Sequence, residues 1–214
     1  MIFSGFAWFG LIAGLILLCG VLLSVKNFSG MKNERYSFLN HFISELGDPR
    51  FAPHKTLFNL SLIIGGFLMI PFIIGVGLYF NSILGYFILG LGIICAVSCS
   101  LIGFLPENKI KPHFTVAGIF FLGMGIVMLL STFAIFIQST NFPPWLGFVT
   151  IGAFIIYSLF IIDTIRLSEK ELRLTDTPWA WDPARPKFWR NPFLEWVSFF
   201  AILFWLFLIT IVFL

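Results

Sequence analysis

Four long stretches of this chain carry no charged residue: 1–25, 56–106, 112–162 and 196–214. A helix that crosses a bilayer needs about 20 consecutive apolar residues, at ~1.5 Å rise each against a hydrocarbon core ~30 Å thick. The first and last stretches therefore hold one span each. Each of the two middle stretches holds two, joined by a tight turn at Asn81 and Ser82 in one and at Gln138 through Asn141 to Pro143 and Pro144 in the other. The spacing predicts six helices, over 2–25, 56–80, 83–105, 113–137, 145–163 and 192–214. Unbroken apolar runs lack the two-residue alternation of a membrane barrel, and an open sheet edge is not tolerated in lipid. The expected fold is an all-α integral membrane protein, a six-transmembrane-helix bundle forming one domain with both termini on the same side.

Composition closes off the soluble alternatives. Of the 214 residues 59% are hydrophobic and 11% charged, against ~25% charged in an ordinary soluble domain. So few charges cannot shield 29 Phe and 7 Trp from water, which excludes a soluble enzyme and a disordered chain. A formal net charge of +3 is too small to imply a nucleic-acid partner.

Six spans place the connections alternately on two sides. The side with both termini and the turns near 81 and 140 has no charged side chain. The other takes loops 26–55, 106–112 and 164–191, with 5, 2 and 6 basic residues, which accounts for all 13. By the positive-inside rule the charged loops are cytoplasmic and the termini outside. This is the arrangement expected in the plasma membrane of a prokaryote. The segment Met1–Ser24 lacks a basic leader and is too long for a signal-peptide core, so it reads as a retained helix.

Small residues recur along the spans. Gly10 and Gly14 form a small-xxx-small pair in the first helix, and Gly65, Gly66, Gly85, Gly90, Gly92, Gly118, Gly123 and Gly125 follow in helices two to four. In lipid such residues let helices pack closely. Contacts within one bundle are the plainer reading, and a homo-oligomer through glycine-rich faces the sharper one. Pro71 lies mid-span and predicts a kink. Cys95 and Cys99 share a helix face without a nearby His, so they read as packing residues. No span interior carries a ladder of ionisable groups, which argues against a proton pump or voltage sensor, and none shows the broken polar midplane of a transporter.

The chemistry gathers on the charged side. His41, His54 and His113 all fall there, with Ser44, Glu45, Asp48, Asp163 and Glu195. If the run from His41 to Pro49 is helical, His41 and Glu45 share a face and Gly47 ends the turn. Glu195 lies just inside the apolar boundary of the last span, where a carboxylate needs a partner or a cap. Beyond a helical extension from Arg166 to Arg173, Trp179, Trp181 and Trp189 interleave with Arg185, Lys187 and Arg190, a composition suited to the headgroup layer. Three readings compete. One is a polar network that seals the bundle end. Another is a lipid-headgroup cleft formed by His41, Asp48, His113, Glu195, Trp196, Arg185, Lys187 and Trp189. The third is a Zn site on His41, His54 and His113, with Ser44, Glu45 or Glu195 as catalytic group of a metal-dependent membrane hydrolase acting on a lipid or amide. No cofactor is expected on the first two.

The residues also carry a family likeness. Ile43, Ser44, Glu45, Leu46 and Gly47, followed by Pro53, His54 and the run to Asn59, resemble the first-loop signature of the DRAM/Sfk/FGF-receptor-activating-protein superfamily. His113, Phe114, Thr115, Val116, Ala117 and Gly118 are similar to its His-led fourth helix, and Glu195 with Trp196 to its terminal Glu-Trp pair. The first-loop run to Asp48 and the stretch from Gly103 to Glu107 are most similar to the prokaryotic branch called domain of unknown function 998. The resemblance implies a six-helix membrane protein with a lipid-related role, such as lipid-anchor remodelling or phosphoinositide organisation, and no settled catalytic mechanism. It assigns Ser44, Glu45, Gly47, His113 and Glu195 to the family's polar positions. His54 stands where many relatives have Glu. Eukaryotic relatives are drawn with the first loop in the lumen, opposite to the orientation that the basic residues give here.

Overall fold

A computed structural model of the protein describes residues 5–30, 33–50, 52–137, 142–171 and 186–214, with side chains excepted over 167–171. The fold is all-helical: α1 (Phe6–Lys26), α2 (Lys55–Phe80), α3 (Ile83–Phe104), α4 (Ile110–Ile137), α5 (Pro144–Glu171) and α6 (Arg190–Phe213), with a 3₁₀ turn at Ile43–Gly47 between α1 and α2. All six helices are long and apolar enough to cross a membrane. Their limits lie close to those that the charge-free stretches predict, because a span ends where ionisable side chains can reach water. The largest differences are at α1, which is described from Phe6, at α4, which begins three residues early, and at α5, which runs past Asp163 along the expected extension.

Local chemistry sets the ends. The Ser82 hydroxyl accepts the Gly85 N–H at 3.1 Å and starts α3. Asn81 takes a left-handed conformation to close α2. Pro144 opens α5, and Pro112 and Pro192 occupy the first turns of α4 and α6, where a missing N–H breaks no bond. Pro71 lies inside α2, which continues through it. Of the second turn, residues 138–141 lie outside the described residues.

Each helix packs against its neighbours in sequence, and α6 closes on α1, so the helices form a ring. The glycines are where these seams are tightest. A Cβ at Gly66 would stand 2.7 Å from the Ala96 carbonyl oxygen of α3, and one at Gly10 would stand 2.6 Å from the Phe72 ring of α2. Gly14 faces Phe207 of α6 and Gly123 faces Cys95 of α3. These glycines are thus occupied by contacts inside the bundle, including both members of the α1 pair. Side-chain hydrogen bonds support the seams: Ser100 donates to the Ile63 carbonyl at 3.0 Å, and the Trp205 indole donates to the Thr150 hydroxyl at 3.0 Å. Large apolar side chains such as Phe67, Phe87, Phe148 and Phe204 point outward, as expected of a surface solvated by lipid.

Candidate functional site

The first loop is fixed at the end of the ring by an aromatic clamp. The Trp196 indole N–H of α6 lies 3.0 Å from the Tyr36 hydroxyl and 3.2 Å from the His41 carbonyl. The Tyr36 hydroxyl in turn donates to the Phe42 carbonyl at 2.8 Å. Phe28 and Tyr36 pack on the His41 ring, and Phe38 on Trp196. The Ser37 N–H donates to His41 Nδ1 at 3.2 Å. Trp196 and His41 are buried in this clamp. Both therefore hold the loop in place and neither faces the membrane surface.

The clamp delivers the chain into the 3₁₀ turn, and carboxylates receive the N–H groups at its start. The Ile43 N–H donates to Glu195 Oε2 at 2.7 Å, and the Phe42 N–H donates to Glu45 Oε1 at 2.9 Å. Each oxygen satisfies a donor that the start of the turn leaves without a partner of its own. His41 lies before the turn, so the expected shared face with Glu45 on one helix does not form. Gly47 does end it, and its carbonyl accepts from the Asn59 amide of α2 at 3.1 Å. Asp48 is fully buried and paired with Arg50, whose backbone N–H and Nε both lie 2.8 Å from Asp48 Oδ1. That bond holds the Arg50 guanidinium charged, raising its pKa.

Two further strands of the network come from the other loops. Asp163 of α5 pairs with Arg190 and accepts from the Asn191 amide at 3.2 Å; the same amide reaches Thr164 at 3.0 Å. Across the ring, His113 Nδ1 lies 2.7 Å from the Leu105 carbonyl. A carbonyl can only accept, so the proton sits on Nδ1 and Nε2 is left as an acceptor. Glu107, in the short α3–α4 connection, is buried and bonded to the Ser44 hydroxyl. Its other oxygen, Oε2, has no hydrogen-bond partner among the described residues. Burial first, and then the neighbouring Glu45, Asp48 and Glu195, push its carboxyl up to about 8, so it is mostly protonated at neutral pH.

These groups close one end of a cavity of about 270 Å³ that residues from all six helices line. The volume is near the lower limit of ligand pockets, ~300–1,000 Å³. Its body is apolar, with Leu62, Met69, Met124, Phe160, Leu203 and Leu206 in the wall. Its polar end consists of Ser44, Glu107, His113, Thr164, Asn191 and Glu195. Phe114, Leu122 and Ile165 line the cavity and are also exposed on the outside of α4 and α5. A Cβ at Gly118, between them, would meet nothing within 4 Å, whereas one at Gly125, two turns on, would touch Ile161 and Tyr157 of α5 at 3.6 Å. The α4–α5 seam is thus closed deep in the bundle and slack beside the cavity.

Of the residues singled out in the sequence, the structure brings Ser44, His113 and Glu195 to the cavity and sets Glu45 and Asp48 behind it. His54 is exposed at the start of α2, away from the other histidines' partners. Among the described residues no three of His, Cys, Asp and Glu stand close enough together to hold a metal ion, so His41, His54 and His113 do not form the site that the Zn reading requires. Lys187 is exposed and Trp189 packs on Phe42 at 5.2 Å, while its N–H donates to the Leu39 carbonyl at 2.8 Å. Neither lines the cavity. Arg185, Trp179 and Trp181 lie outside the described residues. Sequence reasoning missed Glu107, Thr164 and Asn191. The signal for Glu107 was its position: it ends a long charge-free stretch directly after a proline.

A family model described as a protein of unknown function (DUF998) matches residues 11–212. No curated protein and no solved structure matches the chain.

Proposed function

Since the chain belongs to the DUF998 family, whose molecular role is undefined, we propose one for this member: it binds a membrane lipid or lipid-like amphiphile, in a non-enzymatic or lipid-remodelling role. The observation that carries the reading is the cavity, apolar along its body and polar at one end only. An amphiphile has the same division, and neither a small polar solute nor a pure hydrocarbon matches both parts. The slack stretch of the α4–α5 seam supplies a route from the bilayer, since Phe114, Leu122 and Ile165 face both the cavity and the exterior. Entry by that route lets the chain stay in apolar surroundings while the head reaches Glu107, His113 and Glu195. The likeness to the wider lipid-related superfamily points in the same direction.

In this reading the charged loops face the cytoplasm of a prokaryotic cell, as the basic residues of the three loops suggest. A membrane-impermeant thiol reagent should then label Lys187→Cys in everted vesicles and not in right-side-out ones. The binding reading is tested by extracting lipid from the purified protein and from a Gly118→Leu variant, whose side chain enters the slack seam and the cavity. A retained species, present at about one per protein in the wild type and lost in the variant, is the expected result. Equal lipid content in the two would overturn it.

A further inference from the structure

Resting on that reading, we propose that the ligand's head is a cation, an amine or a quaternary ammonium, seated between Glu107 and Glu195. The geometry of the polar end supports this charge class. No Lys or Arg lines the cavity among the described residues, so a phosphate or carboxylate head would meet two acids and no permanent cation. Arg50 is bonded to Asp48, and Arg190 to Asp163, so both of these cations are committed to carboxylates of their own. The carboxyls are differently occupied. Glu195 gives one oxygen to the Ile43 N–H. Glu107 gives one to Ser44 and has Oε2 buried, without a hydrogen-bond partner among the described residues, in a residue that lines the cavity and is 4% exposed. An unmatched buried acceptor costs ~1–3 kcal/mol, and a donor or positive charge in the cavity relieves that cost.

The groups facing Glu107 are the acids Glu45 and Asp48 from the first loop and Glu195 from α6, with Arg50 beside Asp48 and His113 in the lining of the same cavity. Three acids against one committed arginine leave this end of the cavity short of positive charge. It meets that shortage with a proton on Glu107. A cationic head replaces this proton, so binding releases it to water and tightens as pH rises.

The test is native mass spectrometry of the full-length protein in a neutral detergent, titrated with dodecylamine, dodecanol or lauric acid. The amine should bind one per protein and at least tenfold more tightly than the other two, with affinity rising between pH 6 and pH 8.5. Glu107→Gln, which keeps the bond to Ser44, should remove both the preference and the pH dependence. If dodecanol or laurate binds as tightly as the amine, or if the preference survives in Glu107→Gln, the charge class is wrong while amphiphile binding stands. If none of the three binds the wild type more tightly than it binds Gly118→Leu, both readings fall.

Discussion

At one end of the helix ring, Phe6, Tyr79, Phe142 and Phe213 meet with ring centroids 4.8 to 5.2 Å apart. At the other end, the same six helices converge on Glu107, His113 and Glu195 around an open volume. The aromatic end gains dispersion and edge-to-face contacts between its rings. The charged end gives up that packing and holds its shape with directional bonds: Trp196 to Tyr36, Glu195 to Ile43, and Asn191 to Asp163 and Thr164. A bundle closed by contact at both ends would be more stable and would have no room for a ligand. The division therefore places close packing in one half and an open volume in the other.

The comparison is broken most forcefully at the aromatic end. Phe142→Ala should lower unfolding stability by about 3 kcal/mol, the usual cost of removing a buried phenyl ring, and leave amphiphile binding unchanged. Thermal unfolding beside the mass-spectrometric titration separates the two effects. A loss of binding equal to that in Gly118→Leu would show that the two halves are not independent.

At the charged end the expected effects on stability are smaller and those on binding larger. Glu195→Leu leaves the Ile43 N–H without an acceptor, a cost of about 2 kcal/mol, and should abolish amine binding. Glu195→Gln, which keeps an acceptor, should recover most of the stability and little of the binding.

The acid–base behaviour sharpens the contrast further. Glu107 ionises near its ordinary value of 4.5 when unfolded and at about 8 when folded. Between those values the folded protein holds a proton that the unfolded chain has lost, so stability falls as pH rises from about 4.5 to about 8 and then levels. Glu107→Gln should flatten that part of the profile, and its melting temperature should overtake the wild type's progressively from pH 5 to pH 9. Parallel profiles for the two proteins would contradict a proton held by Glu107 in the folded protein.

The smallest effect concerns the glycines. Gly90 is exposed with open space around its missing side chain, so Gly90→Ala should gain roughly 0.5 kcal/mol from helix propensity alone. Gly66→Ala, set against the α3 backbone, should destabilise. A gain at both positions would mean that the α2–α3 seam is looser than it stands.

The sequence made the helices legible because lipid imposes one rule on every residue of a span, and breaks in that rule mark the ends. Strict alternation of the connections then placed His113 and Glu195 at one end of the bundle. It could not separate residues that hold the end together from residues that face the cavity. His41, Asp48 and Trp196 have the same composition and depth as the cavity residues, yet they are turned into a clamp and a salt bridge. That division depends on a single 3₁₀ turn and on contacts across more than a hundred residues, such as Ile43 with Glu195, and no local period records either. Asn191 and Thr164 were missed for the same reason: a short polar side chain at a helix end reads as a cap until its partner on the next helix is seen.

The ring order has a consequence for how the protein is made. Helices that touch their chain neighbours can settle pairwise while synthesis continues, but the seam between α1 and α6 must wait for α6 to emerge. That segment brings the carboxylate that fixes Ile43. Nascent chains halted before it would insert and pair their hairpins, yet they would lack the Glu195 acceptor for Ile43 and the α6 wall of the cavity. The emergence of α6 is thus the event that closes the wall of the cavity.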